Sequence, residues 1–218
     1  MESTGGSDVQ NLLQAYDIPA SSIELARTPE EAVQAARRIG FPVALKVASP
    51  EISHKSDVSG VMLGLGDEAA VIGGFQAVTE NARAALPEAE IVGVHVQRMI
   101  PDGQEVILGA IQDPQFGALV MFGSGGVEVE GLKDVAFALA PLTDEEADYL
   151  LESTWAGRRL RGYRNLPPAD REAVKAVLKR LAQLAADHPQ IAEIEINPLR
   201  VFPAGQGAVA IDTRIHLR

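Results

Sequence analysis

Residues 43–61 read VALKVASPEISHKSDVSGV, and this stretch decides how the surrounding chain is organised. Val43–Val47 is apolar apart from Lys46, which predicts a strand. Residues 49–60 contain turn formers and charges without an apolar period, which predicts a loop, and residues 61–65 resume as a second strand. The stretch therefore predicts a strand–loop–strand unit with a long connection. That connection carries His54, Lys55 and Ser56.

Helices are predicted on both sides of this unit. Thr28-Pro29-Glu30-Glu31 combines a capping box with a proline at the first helical position, and the apolar period then runs to Ile39 before Gly40 ends the helix. After the unit, helically spaced apolar residues from Val71 to Ala85 predict another helix, which Pro87 closes. We expect residues 1–7 to be disordered and an αβ lobe to extend from about residue 8 to 95.

The second half of the chain changes character. Short apolar runs separated by Gly, Pro and Asp predict an antiparallel sheet over residues 91–97, 105–111, 117–122 and 135–139. Residues 191–196 and 208–211 are predicted to close the chain as strands. Thr143-Asp144-Glu145-Glu146 is another capping box, and a longer helix is predicted over 168–186. The pattern predicts an α+β chain whose second lobe covers about residues 96–218.

Composition excludes several classes of protein. Among the 218 residues there is no cysteine, so a disulfide framework and thiolate chemistry are excluded, and a cytoplasmic location is expected. Lys+Arg 19 against Asp+Glu 30 gives a net charge of −11, which disfavours a general nucleic-acid binder. The apolar runs are far shorter than the roughly 20 residues that span a bilayer, so no membrane segment is expected.

Polar residues that could carry chemistry fall into separate groups. Lys46 could deliver a point charge to a phosphate from a rigid strand, or could simply face solvent. His54 shares its loop with hydroxyls and a lysine, a composition suited to cradling phosphate, although a single histidine is often an ordinary surface residue. Gln97 and Glu105 lie at strand ends, where an isolated polar residue is more often structural.

The third group lies near the C-terminus. Strand alternation places Glu193, Glu195 and Asn197 on one face, and Asp212 follows a later strand. Carboxylate and amide oxygens are the ligands that Mg²⁺ prefers alongside substrate phosphates. A magnesium site and a solvated acidic face are both compatible with this pattern.

The order of these groups resembles the ATP-grasp family, and within it the nucleotide-binding β subunit of ADP-forming acyl-CoA synthetases, relatives of succinyl-CoA synthetase. The resemblance extends from about Val9 to Ile215, and the HKSD loop at 54–57 combined with the EINP strand at 195–198 is its most specific part. Ser59 stands where the family often has a second glycine, so the loop is expected to close less freely.

The resemblance implies a fold of two lobes with antiparallel sheets that clamp ATP or ADP. Lys46 is implied to bind the α and β phosphates, with Lys55 and Ser56 in the phosphate loop. Gln97, Arg98 and Met99 are implied to form the hinge against adenine, with Glu105 near the ribose. The implied Mg²⁺ ligands are Glu195, Asn197 and Asp212, and His54 is implied to accept a phosphoryl group.

The implied activity is the nucleotide half-reaction of an ADP-forming acid–CoA ligase, which converts acyl-CoA, ADP and phosphate reversibly into acid, CoA and ATP. A CoA-binding α subunit, or fused CoA-binding and ligase domains, is the implied partner. The main alternative is a regulatory acyl-CoA synthetase-like domain of a protein-lysine acetyltransferase. A carboxylate–amine ligase is a more distant alternative, disfavoured by the HKSD loop.

Overall fold

The computed structural model describes residues 6–52, 55–125 and 134–218. The chain divides into two compact units: a smaller unit, Ser21–Ile100, and a larger unit that contains Pro101–Arg218 together with the residues before Ser21. Residues 8–20 were assigned to the first lobe from the sequence, but they group with the larger unit, where Ala210 N donates to Pro19 O at 2.8 Å. The lobe boundary near residue 95 stays a prediction.

The smaller unit is an antiparallel sheet covered on one face by helices. Its elements are β1 (Ile23–Ala26), α2 (Pro29–Ile39), β2 (Val43–Ala48), β3 (Val61–Leu65), α3 (Glu68–Ala85) and β4 (Gly93–Arg98). The strand order is β1-β4-β2-β3, which places β2 and β4 in the centre. Alternate residues of these central strands, such as Leu45 and Val96, are fully buried against helix residues such as Val78.

The capping box predicted for α2 is present in a shifted form. Thr28 Oγ1 accepts a hydrogen bond from Glu31 N at 3.2 Å, while Glu31 Oε2 accepts from the amide of Arg27 at 2.6 Å. The side chain of Glu31 therefore satisfies an amide one residue earlier than in a standard box.

The larger unit contains a six-stranded antiparallel sheet. Its elements are α1 (Gly6–Ala15), β5 (Gln104–Asp113), β6 (Gly117–Ser124), β7 (Val135–Leu139), α4 (Asp144–Ser153), α5 (Trp155–Arg159), α6 (Arg171–Asp187), β8 (Ile191–Val201), β9 (Ala208–Ala210) and β10 (Thr213–Leu217). The main strand order is β10-β8-β5-β6-β7, and β9 pairs with β8. Helix α6 buries its apolar stripe, including Leu178 and Leu181, in the core of this unit.

These observations confirm the predicted α+β class with antiparallel sheets. The sequence reading missed β1, β10 and the short helix α5, and it ended β8 before Pro198, whereas the strand continues to Val201. Within the described ranges, no helix is long and apolar enough to cross a membrane.

Candidate functional site

The polar face of the smaller sheet brings Lys46 and Gln97 together. In the antiparallel pairing of β2 with β4, Ala44 lies opposite Gln97 and Lys46 lies opposite His95. Residues paired in this way project from the same face of a sheet, and this face is opposite the one that carries Leu45 and Val96. Gln97 is 2% exposed and Lys46 is half-buried, so neither is an ordinary surface residue.

Sequence reasoning did not single out His95 as a candidate site residue, although it lies opposite Lys46. The signal available in the sequence was the alternation of His95 and Gln97 with Val94 and Val96. That alternation identifies one polar and one apolar face, but only the register with β2 shows that Lys46 is the neighbour of His95.

The loop between β2 and β3 is described up to Ile52 and again from Lys55, and His54 lies outside the described residues. Gly60 N donates to Lys55 O at 2.8 Å and Val47 N donates to Gly60 O at 2.7 Å, so these bonds tie the end of the loop to the strand that carries Lys46. Lys55 is half-buried and Ser56 is exposed. Ser59 adopts the left-handed backbone conformation, φ 50°, which glycine adopts at lower cost.

Gly60 is required by close packing rather than by its backbone angle. A Cβ atom at this position would lie 2.6 Å from Val47 Cγ1 and 3.0 Å from Lys55 O. The absence of a side chain therefore lets the loop pack directly against β2.

The predicted hinge residues lie at the end of β4. Arg98 is the last residue of the strand and is exposed, while Met99 N donates to Pro42 O at 3.1 Å and Met99 is half-buried. Of these residues, Gln97 is the one that shares a sheet face with Lys46.

The predicted metal ligands lie close together in the larger unit. Glu195 and Asn197 alternate along β8, and the amide of Asn197 donates to the carbonyl oxygen of Asp212 at 3.0 Å. All three residues are half-buried. Glu195 is paired with Gly109 on β5 and, together with Glu193 and Met121, lines a cavity of about 60 Å³.

This donor set suits a hard divalent cation. Within the described part of the chain, no group of three or more His, Cys, Asp or Glu residues has the arrangement of a metal site. The chain offers two carboxylates and one amide, which fits Mg²⁺ because that ion keeps several waters and takes further oxygens from substrate phosphates.

Glu105 is the second residue of β5 and lines a larger cavity of about 500 Å³ inside the larger unit. Its Oε1 accepts a hydrogen bond of 2.6 Å from Nη2 of Arg200, its cross-strand neighbour on β8. Its main-chain oxygen accepts a bond of 3.0 Å from Arg159, which lines the same cavity. Sequence reasoning identified Glu105 but neither arginine.

Asp134 anchors the chain after the glycine-rich segment. Its Oδ1 accepts from Trp155 N at 2.7 Å, and its Oδ2 accepts from Ala156 N and Ser124 Oγ, each at 2.8 Å. Burial raises the pKa of the Asp134 carboxyl, but the hydrogen bonds from Ala156, Trp155 and Ser124 outweigh that effect, so the net pKa is below its ordinary value. A carboxylate at this position thus joins β6 to the start of α5.

A family comparison adds to this geometry. The family model described as an ATP-grasp domain matches residues 2–217. The chain belongs to the ATP-grasp family. The arrangement of an antiparallel sheet that carries Lys46 and a second antiparallel sheet that carries Glu195 and Asn197 is therefore the ATP-grasp fold, as the resemblance implied.

Curated relatives of this ATP-grasp chain include ADP-forming ligases. It is 41% identical over 210 residues to the acetate–CoA ligase (ADP-forming) I subunit beta of Pyrococcus furiosus and covers 96% of its own length and 90% of that subunit. It is 43% identical over 204 residues to acetate–CoA ligase (ADP-forming) I of Archaeoglobus fulgidus, covering 94% of this chain. The ATP-grasp chain spans only 30% of the length of the Archaeoglobus protein.

Among solved structures, the dinucleotide-forming acetyl-coenzyme A synthetase 1 of Ca. Korarchaeum cryptofilum, in complex with coenzyme A, Ca-AMPCP and HgCl⁺, superposes with a TM-score of 0.95. The identity is 41%, and the match covers 100% of this ATP-grasp chain and 94% of that chain. None of these relatives is a protein acetyltransferase, so the comparisons do not support the regulatory alternative.

Proposed function

We propose that this ATP-grasp chain is the nucleotide-binding subunit or domain of a cytoplasmic ADP-forming acid–CoA ligase. The observation that carries the proposal is the 41% identity to a β subunit of such a ligase, 90% of which the chain covers. A relative of similar identity, solved in complex with Ca-AMPCP, supports a nucleotide and a divalent cation as ligands.

In the smaller unit, the proposed ligand is the nucleotide of ATP or ADP. Lys46 binds the α and β phosphates, because a half-buried lysine on a central strand presents a charge at a fixed position. Lys55 and Ser56 belong to the phosphate loop, which Gly60 holds against β2. Gln97, Arg98 and Met99 bind the adenine end.

In the larger unit, Glu105 binds the ribose, and Glu195, Asn197 and Asp212 hold Mg²⁺. The cation, when bound, neutralises charge on the phosphates during transfer. The role of the chain is to fix those oxygen ligands in place. The backbone hydrogen bond from Asn197 to Asp212 joins their two segments, and alternation along β8 places Glu195 and Asn197 on one face.

His54 is proposed as the phosphoryl acceptor. An imidazole nitrogen attacks the γ-phosphorus, so that a P–N bond forms while the P–O bond to the β-phosphate breaks and ADP leaves. The phosphoryl group then passes to a histidine of the CoA-binding partner, and His54 is regenerated. In-line attack needs positioning more than covalent assistance from other side chains.

The CoA-binding function is assigned to another polypeptide or to fused domains. The fused Archaeoglobus relative is more than three times as long as the matched segment, since that segment covers 30% of it. The nucleotide half-reaction is accordingly the part assigned to this chain alone.

The decisive experiment is phosphate transfer from ATP labelled in the γ position. The chain is incubated with labelled ATP and Mg²⁺ in the presence of a CoA-binding subunit of an ADP-forming ligase, and acid-labile, base-stable phosphate is measured on each polypeptide. We expect label on both polypeptides with wild type and none on the partner with His54→Ala, while ADP affinity changes little.

His188→Ala is the matched control, because His188 follows α6 and contacts the ring of Tyr16 in the larger unit. It is expected to transfer phosphate as wild type does. Unchanged partner labelling with His54→Ala would contradict the relay role.

A further inference from the structure

Arg200 holds the one carboxylate of the larger unit that is proposed to meet the ribose. Its Nη2 donates to Glu105 Oε1 at 2.6 Å, and its Nη1 donates to Pro101 O at 3.1 Å and lies 3.7 Å from Asp102 Oδ1. The guanidinium is thus fixed at both ends of its fork, by Glu105 in β5 and by Pro101 just before that strand.

The Arg200 side chain is more buried than a typical surface arginine. Its exposed fraction is 17% and that of the Glu105 side chain is 35%, so solvent screens this pair less than it screens a fully exposed ion pair. The neighbouring exposed acid Asp102 is too far from Nη1 for a hydrogen bond, which leaves Glu105 as the principal carboxylate partner.

Gly103 makes room for the Arg200 stem. A Cβ at Gly103 would lie 3.0 Å from Arg200 Cδ and 2.6 Å from Val201 O. The arginine side chain therefore packs over bare backbone and reaches Glu105 across the strand pair instead of extending into solvent.

Arg200 binds one of the two oxygens of the Glu105 carboxylate. Oε1 is bound to Arg200, and within the described residues no hydrogen bond to Oε2 is found. Glu105 lines the cavity of about 500 Å³, which is large enough for a nucleoside portion. A carboxylate fixed through one oxygen presents the other as an acceptor in a defined direction.

We infer that Arg200 is a positioning residue for the nucleotide: it fixes Glu105 so that Oε2 accepts a hydrogen bond from a ribose hydroxyl. The inference rests on the proposed function. A purely structural ion pair would not affect the choice of ligand. As a positioning residue, Arg200 sets the preference of the protein for ribose over deoxyribose.

The test compares ligands as well as variants. The full chain is titrated with ADP, 2′-deoxy-ADP and 3′-deoxy-ADP in the presence of Mg²⁺. We expect wild type to bind ADP at least about tenfold more tightly than one of the deoxy analogues, since a hydrogen bond to a charged group contributes that order of affinity. Glu105→Gln and Arg200→Met are each expected to reduce this preference severalfold, with little change in affinity for the disfavoured analogue.

Arg180→Met is the matched control, because Arg180 also donates to a main-chain oxygen, that of Asp17, in the same unit. It is expected to keep the wild-type preference. Arg200→Gln replaces Arg200→Met if the methionine variant does not fold, and the same preference ratio is measured.

The outcomes distinguish failure of the proposed function from failure of the Arg200 inference. A wild-type chain that fails to bind ADP overturns the proposed function and this inference with it. A wild type that binds ADP without discriminating against either analogue, or an Arg200 variant that keeps the full preference, overturns the inference and leaves the proposed function standing.

Discussion

The amide of Asn197 in β8 donates a hydrogen bond of 3.0 Å to the carbonyl oxygen of Asp212, which lies in the link between β9 and β10. This bond fixes the distance between two of the proposed Mg²⁺ ligands through the backbone. The side chains can therefore be changed without breaking the connection between the segments.

Asp212→Asn is expected to weaken Mg²⁺-dependent ADP binding by roughly tenfold, the order observed when a group that supports a metal site is altered. The reason is the loss of one negative charge from a set of hard oxygen ligands. Calorimetric titration with ADP at several Mg²⁺ concentrations measures the effect. Asp187→Asn, which alters the acid that accepts a bond from Tyr16, should leave the Mg²⁺ dependence unchanged. Equal dependence in Asp212→Asn and wild type would remove Asp212 from the site.

Lys46→Met is expected to abolish most of the rise in melting temperature that ADP with Mg²⁺ produces in wild type. Methionine keeps an unbranched apolar stem on β2 but removes the charge that binds phosphate. Because ligand stabilisation follows mass action, a lower affinity reduces the shift at fixed ligand concentration. Lys179→Met, which removes an exposed partner of Asp144, serves as the control. A full ADP shift in Lys46→Met would support the alternative in which this lysine merely faces solvent.

Asp134 is expected to make folding stability depend on pH in the acid range. Its pKa in the folded protein lies below its ordinary value, so its contribution is fully present above the unfolded pKa and is lost as pH falls through the folded pKa. Asp134→Asn should lower the free energy of unfolding by about 1 kcal/mol at neutral pH, the usual size for the loss of a helix cap. The reason is that the NH₂ group of the new amide would face either the donor Trp155 N or the donors Ala156 N and Ser124 Oγ.

Urea denaturation at pH 7 and near pH 3 measures this effect. The difference between wild type and Asp134→Asn should shrink at the lower pH, where the wild-type carboxyl begins to be protonated. An equal difference at both values would show that the charge of Asp134 contributes nothing.

Gly60→Ala and Gly73→Ala are expected to change stability in opposite directions. A methyl group at Gly60 meets Val47 Cγ1 at 2.6 Å and Lys55 O at 3.0 Å, and overpacking of this kind costs about 1–3 kcal/mol. Gly73 lies exposed in α3 with nothing within 4 Å of the new methyl group, so alanine should stabilise the helix by up to about 1 kcal/mol. Thermal or urea unfolding of both variants checks the pair, and a neutral Gly60→Ala would contradict the packing argument.

Local signals in the sequence were sufficient for most helices. Thr143 and Glu146 form the reciprocal capping box that their spacing predicted, and the apolar stripe of α6 is buried as expected. These features depend on residues within one or two turns of each other, so the sequence alone contains the necessary information.

Short elements were missed because their stability comes from pairing. Strand β1 has four residues, and its pairing with β4 joins Ile23 to Gln97 across the smaller unit. Strand β10 likewise depends on its pairing with β8, in which Arg214 lies opposite Glu195. Such strands carry little intrinsic preference of their own, since β-propensity is largely a matter of the neighbouring strand.

By itself, the sequence determined the fold class, the capped helices and, through the spacing of its HKSD and EINP motifs, the family, which the match over residues 2–217 shows. Only the tertiary structure decided that His95 neighbours Lys46 and that Arg200 reaches Glu105. Arg200 and Glu105 lie 95 positions apart along the chain. The physical reason is register: periodicity tells which face of a strand a residue occupies, whereas the partner on that face is set by how distant strands align.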